Sequence, residues 1–256
     1  DYINTLRMKD GITDKQVRAI DMEAAANAPE RISQITDYML EHFDQKTKRN
    51  ERYTINSKRL YGFNSIFAAS SIEVAKKYYA SFKSRNTDLK IALIYSFGAN
   101  DAEGDDGILP DEEFDTSGLD QSSRDFLEAA ISDYNKAFGT SYDTSSDKFE
   151  NYYKDLSQRV KSREVDLLIV VNMFLTGFDA TTLNTLWVDK NLRHHGLLQA
   201  FSRTNRILNS VKTFGNIICF RDLEQATNDA LALFGNKEAG GIVLLKSYNE
   251  YYNGWD

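Results

Sequence analysis

The feature that most constrains this chain is the run Val165 to Val171, apolar at every position except Asp166. A strand with one wet face alternates polar and apolar residues, whereas a run that is apolar almost throughout belongs inside a parallel sheet covered on both faces by helices. Further segments read as strands of the same sheet: Ser65 to Ala69, Ile91 to Tyr95, Thr185 to Val188 and Asn216 to Phe220. Helical patterns separate them. A Ser70-Ser71 cap opens a helix with Ile72, Val74, Ala75, Tyr78, Tyr79 and Phe82 on one face, and further helices are expected at about 123–138, 147–162, 196–209 and 223–234. The predicted fold class is therefore α/β, an open, mostly parallel sheet with helices on both faces.

Ahead of the sheet, residues 14–50 read as helix, with Pro29 at a helix start and Ile32, Ile35, Met39 and Phe43 recurring at helical spacing. Residues 1–62 form a helical lead-in on this reading, and residues 63–235 the main domain. A partly helical insertion is expected at about 97–163, and residues 236–256 are a tail or the opening of a following helical domain. With 256 residues, 41% of them hydrophobic, the chain can bury one large core. Its longest apolar runs fall far short of the roughly 20 residues of a membrane-spanning helix, so no membrane partner is expected. A first residue of Asp1 and the lack of a leader pattern point to an excised fragment of a cytoplasmic protein. Cys219, the one cysteine, excludes an internal disulfide and is expected to pack in the core of its strand.

The net charge of −7 argues at first against a nucleic-acid partner. The acidity is local, however. Residues 101–150 hold fifteen acidic and three basic side chains, a net of −12, which leaves +5 on the other residues. A solvated acidic surface insertion explains the block; repulsion of DNA or docking of a basic neighbour is the alternative.

In open parallel sheets ligands bind at the carboxyl ends of strands, so the turns after Ala69, Val171 and Val188 are the places to search. After the central strand, Gly177 permits close backbone approach and Asp179 offers a carboxylate for sugar hydroxyls, although a turn glycine and a capping Asp explain the pair equally well. In the stretch Gln199-Ala200-Phe201-Ser202-Arg203-Thr204-Asn205-Arg206, a helix would project Gln199, Arg203 and Arg206 from one side. Guanidinium groups stay charged and present a planar fork to phosphate oxygens, so this constellation suits a polyphosphate. Two surface arginines in helical salt bridges would give the same spacing.

Taken in order, Leu175-Thr176-Gly177-Phe178-Asp179-Ala180, then Leu186-Trp187-Val188-Asp189-Lys190, then His195-Gly196-Leu197-Leu198-Gln199-Ala200-Phe201-Ser202-Arg203-Thr204-Asn205-Arg206 closely resemble motifs V and VI of superfamily 2 helicases, in the form found in R subunits of type I restriction enzymes. Phe63 to Phe82 resembles motif IV less specifically. The resemblance covers about 170 residues and implies the second RecA-like lobe of an ATP-driven DNA translocase. It implies that Gly177, Asp179 and Gln199 approach ATP and that Arg203 and Arg206 are the catalytic arginines, Arg206 being the arginine finger. Ser70, Ser71, Asn172 and Thr176 become candidate contacts to double-stranded DNA. His194 and His195 are expected to position the arginine helix. Two departures from the family wording stand out: Thr181 where many members have Pro, and Val171 where many superfamily 2 proteins have Thr.

The sequence contains no Gly-x-x-x-x-Gly-Lys-Ser/Thr loop and no convincing strand ending in paired acids, so half of an ATP site is missing. The resemblance implies that ATP lies between this lobe and a first RecA-like lobe, which ligates Mg2+, and that no metal is held here. Implied partners are that lobe and a nuclease domain of the same subunit, with the methyltransferase and specificity subunits of the complex. The fragment alone is expected to be inactive. The alternative readings are a non-catalytic RecA-like interaction module and the motor lobe of another superfamily 2 helicase.

Overall fold

A computed structural model of the chain describes residues 24–97, 109, 116–208 and 210–234. Five strands make one parallel sheet in the order β4-β5-β3-β6-β7, formed by β3 (Asn64–Ala69), β4 (Ile91–Ile94), β5 (Leu167–Val170), β6 (Leu183–Asp189) and β7 (Asn216–Cys219). β3, β5 and β6 are buried at every position; β5 is apolar throughout, while β3 and β6 also bury Asn64, Ser65, Asn184, Thr185 and Asp189. Fully buried Phe67 and Trp187 lie side by side in register on β3 and β6. Burial of each such side chain stabilises the fold by roughly 1.5–3 kcal/mol.

Helix α1 (Pro29–Lys46) starts with Pro29 in its first turn, where a missing N–H costs nothing, and buries Ile32, Ile35, Met39 and Phe43. Helix α2 (Ile72–Ser84) is capped by Ser71, whose Oγ accepts from the Val74 N–H at 3.3 Å. The two helices pack together, and Tyr78 of α2 places its ring 4.4 Å from that of Phe67. The β3-α2-β4 connection runs one way across the sheet, while β5-to-β6 and β6-to-β7 run the other. Right-handed crossovers then put α2 on one face and α5 (His194–Phe201) on the other. Helix α6 (Glu224–Phe234) packs against α5.

The stretch expected to be an insertion supplies α3 (Gln121–Phe138) and α4 (Ser146–Lys161). Both are built into the main core through Leu127, Ile131, Tyr134, Phe149, Tyr152 and Leu156. Tyr152 donates to the Leu93 carbonyl at 2.9 Å, so α4 closes directly on β4. Most of the acidic block before Thr116, and the expected tail, lie outside the described residues.

Three local expectations are corrected. The helix expected over 196–209 stops at Phe201 and tightens into a 3-10 turn, Ser202–Thr204. Thr204 is buried against Gly215, where an added Cβ would fall 2.4 Å from the Thr204 carbonyl oxygen, and this packing turns the chain toward β7. Cys219 is exposed, because β7 is an edge strand with only alternate residues partly covered. A hairpin not anticipated in the lead-in, β1 (Arg52–Ile55) with β2 (Lys58–Tyr61), turns through Asn56 and Ser57 at φ 47° and 64°. Two adjacent residues at positive φ match the twist of the paired strands.

Candidate functional site

The direction of the sheet was reversed between β3-α2-β4 and the later connections, which makes the carboxyl ends of β3, β5 and β6 a topological switch point. Ala68 is in register with Val170, and Ala69 with Asp189. Continuing those registers brings the Ser70 turn between Asn172 and Lys190. Ser70 Oγ is buried and, among the described residues, has no hydrogen-bond partner. The Ser71 hydroxyl is committed to capping α2, and Asn172 is only 5% exposed.

Gly177, Asp179, Arg203 and Arg206 do not sit on this edge. After β5 the chain crosses back without a helix through residues 171–182, anchored by the buried side chains of Met173, Phe174, Leu175 and Phe178. The Phe174 ring lies 4.8 Å from both Tyr153 of α4 and Phe178. Gly177 and Asp179 therefore approach the amino end of β6, and helix α5 runs back in the same direction to deliver Arg203 and Arg206 there. The expectation that all sites gather at carboxyl ends is corrected: a long crossover carries motif residues to the opposite edge.

At that edge Arg206 Nε donates to Asp179 Oδ1 at 2.8 Å, an exposed pair joining two of the predicted residues. Arg203 is braced instead. Its Nε donates to the Gln199 carbonyl at 2.9 Å, one terminal nitrogen to the Phe178 carbonyl at 2.5 Å, and the other to Ser202 Oγ at 3.0 Å. Burial pushes the Arg203 pKa down, and the Arg206 charge works in the same sense against the opposing pull of Asp179. The two arginines converge because the 3-10 turn tightens the chain, not because they share a helical face. Gln199 lies with its Nε2 2.8 Å from His195 Nε2. His194 is the first residue of α5, at φ 41°. Gly177 has φ 63°, and a Cβ built on it would meet nothing within 4 Å. The glycine thus leaves open space beside an exposed cation and a carboxylate.

Two charged residues that sequence reasoning did not single out underpin both edges. Asp189, fully buried, accepts from Arg31 at 2.8 and 2.9 Å, from Arg221 at 2.7 Å and from the Tyr78 hydroxyl at 2.7 Å. Burial raises its pKa, but the hydrogen bonds from Arg31 and Tyr78 and the Arg221 charge outweigh this and leave it below the ordinary carboxylate value. An acid closing an apolar strand was the available signal. Lys212, also fully buried, donates to the Leu183 carbonyl at 2.6 Å and the Thr181 carbonyl at 3.2 Å, and burial lowers its pKa to about 8. Its surroundings, Ser210-Val211-Lys212-Thr213-Phe214-Gly215, read as an ordinary surface turn and give no hint of this.

The five-stranded parallel sheet with helices packed around it defines an α/β domain consistent with a RecA-like fold. The family model described as "Type I restriction enzyme subunit R domain 3" matches residues 61–222. The chain belongs to the R subunit family of type I restriction enzymes. It is 40% identical, over 98% of its length, to the endonuclease subunit of type I restriction enzyme SauCOLORF180P from Staphylococcus aureus (strain COL), of which it spans 26%. The same identity and coverages hold for the SsaAORF53P endonuclease subunit of Staphylococcus saprophyticus. A putative MpnIIP endonuclease subunit N-terminal part from Mycoplasma pneumoniae is 62% identical over 75 residues, 29% of this chain and 19% of that protein. The chain therefore spans about a quarter of the length of the full staphylococcal relatives.

Proposed function

We propose that this chain is the second motor lobe of an ATP-dependent DNA translocase within the R subunit, supplying the arginine side of an ATP site shared with a first RecA-like lobe. The single observation that carries this reading is the exposed Arg206–Asp179 pair beside the open space over Gly177, with Arg203 braced behind it. These residues suit one half of a nucleotide site. Two guanidinium groups match a polyphosphate, Asp179 matches sugar hydroxyls, and a glycine without a Cβ leaves room for close approach. No glycine-rich phosphate loop and no pair of acids ending a strand accompanies them in the sequence, so in this reading the first lobe cradles the β- and γ-phosphates and ligates Mg2+.

Bound ATP supplies the phosphoanhydride whose hydrolysis drives the motor. This chain's own contribution is charge and position. Arg203 holds the crossover through Phe178 and so fixes Gly177 and Asp179 relative to α5. Arg206, paired in an exposed setting, exchanges a carboxylate for a phosphate partner at little cost, because exposed ion pairs contribute only about 0–1 kcal/mol. Ser70 and Asn172 lie at the opposite edge, where the turn that carries them, rather than their buried side-chain polar atoms, faces a duplex in this reading. Cleavage, named in the relatives' endonuclease subunits, belongs in this reading to a nuclease domain elsewhere in the subunit, and assembly with methyltransferase and specificity subunits supplies the recognition sequence. The domain alone hydrolyses no ATP.

Translocation by the full-length subunit in its complex tests the reading, followed by displacement of a third strand from duplex DNA. Arg203→Ala and Arg206→Ala are each expected to abolish displacement while leaving the subunit folded. Displacement at the wild-type rate in both variants would overturn the assignment.

A further inference from the structure

The β1–β2 hairpin plays no part in the motifs, yet in a chain of net −7 its residues 52–61 hold three basic side chains and no acidic one. Its register pairs Arg52 with Tyr61, Tyr53 with Leu60 and Thr54 with Arg59. Strand alternation turns Tyr53 and Leu60 inward, where they are buried with Phe63, the Tyr53 and Phe63 rings stacked at 4.5 Å. Leu208 and Val211 complete this small core, so the hairpin is seated on the segment that directly follows Arg206.

The outward face is then Arg52, Thr54, Arg59 and Tyr61, all exposed. The guanidinium carbons of Arg52 and Arg59 lie 5.4 and 5.9 Å from the Tyr61 ring centroid, and Tyr61 itself is 51% exposed. Among the described residues neither arginine is in an ion pair. Their neighbours are spoken for: Arg49 pairs with Asp88 at 2.7 Å, Lys58 with Glu164 at 3.5 Å and Arg163 with Asp166 at 2.7 Å. Arg59 and Tyr61 also line a cleft of about 380 Å³ of mixed charge, in which Lys90 and Arg163 are accompanied by Asp88, Glu164 and Asp166.

The geometry points to this hairpin as a second duplex-DNA contact, gripping the phosphate backbone at the edge of the sheet opposite Ser70 and Asn172. Two guanidinium groups held over one ring have already lost much of their rotamer freedom, which lowers the ordering cost of binding. Diagonal positions on paired strands are roughly 7–8 Å apart, a spacing that suits neighbouring phosphates on one strand. Arg, Thr and Tyr are the side-chain types that contact phosphate and sugar, whereas a protein interface needs a buried apolar centre that this face lacks. The inference rests on the DNA-translocase reading and adds to it a contact outside every motif.

Equilibrium binding of the full-length subunit to a non-specific duplex, without ATP and from 50 to 200 mM salt, tests this. Each phosphate contact contributes about 0.9 to the slope of log affinity on log salt. Arg52→Ala with Arg59→Ala should reduce that slope by about 1.8, which makes the loss of affinity roughly tenfold larger at 50 than at 200 mM salt, while Arg52→Lys with Arg59→Lys should largely keep the slope. An unchanged slope and affinity in the double alanine variant, with wild-type protein binding normally, would overturn the hairpin contact alone. Wild-type protein that binds no DNA would overturn the translocase reading as well. Transfer of the defect to a protein partner, with DNA binding intact, would also overturn it.

Discussion

Arg206 Nε donates to Asp179 Oδ1 at 2.8 Å, so the residue read as an arginine finger is held by the carboxylate read as a sugar ligand. Both side chains are more than half exposed. Asp179→Asn should therefore change the stability of the chain by less than about 1 kcal/mol in chemical denaturation. In the full-length subunit the same change should raise the ATP concentration needed for half-maximal hydrolysis.

Asp189→Asn should act in the opposite way. It removes the carboxylate charge that the largely buried Arg31 and Arg221 share, which costs about 3–5 kcal/mol. Because the folded pKa of Asp189 is depressed, the stability it provides is present above the unfolded carboxylate value and is lost as pH falls through the folded one. Denaturation of wild type and variant across pH 7 to about 3 should show the wild-type advantage shrinking only at the acid end.

Lys212 has the reverse linkage. Its pKa of about 8 lies below the ordinary lysine value, so the unfolded chain binds the extra proton between about 8 and 10.5 and stability rises with pH across that window. Lys212→Met should flatten this rise. It should also leave the Thr181 and Leu183 carbonyls without their donor, at a cost of about 1–3 kcal/mol near neutral pH.

Two glycines at similar positive φ separate structural need from room for a ligand. A Cβ on Gly62, φ 59°, would lie 2.6 Å from Arg49 Cα, so Gly62→Ala must displace backbone and should unseat the hairpin, with a loss well above 1 kcal/mol. Gly177→Ala meets no atom within 4 Å and pays only for its left-handed backbone, about 1 kcal/mol. Melting temperatures should fall much further for the first than for the second, and ATP hydrolysis by the full subunit should fall with the second despite its intact fold.

The unbroken apolar run of β5, with the apolar centres of β3 and β6, made the parallel sheet legible from sequence, because a strand buried on both faces leaves little choice of residue. Motif order then located Asp179 and Arg206. What could not be read was how they meet. The helix break after Phe201 depends on Thr204 packing against Gly215, a contact between residues far from any propensity signal. The hairpin escaped because its Asn56-Ser57 turn, unlike Asn-Gly, has no strong sequence signature. Lys212 escaped because its burial is set by two carbonyls brought in from another segment.

The most direct measurement is the rate of DNA-stimulated ATP hydrolysis by the full-length subunit carrying Arg206→Ala. An arginine that completes the site in trans contributes about 10³–10⁵ in rate. The maximal rate should fall by at least about 10³, with DNA binding and folding retained. A maximal rate equal to that of the wild-type subunit would contradict the assignment of this chain as the arginine-bearing motor lobe.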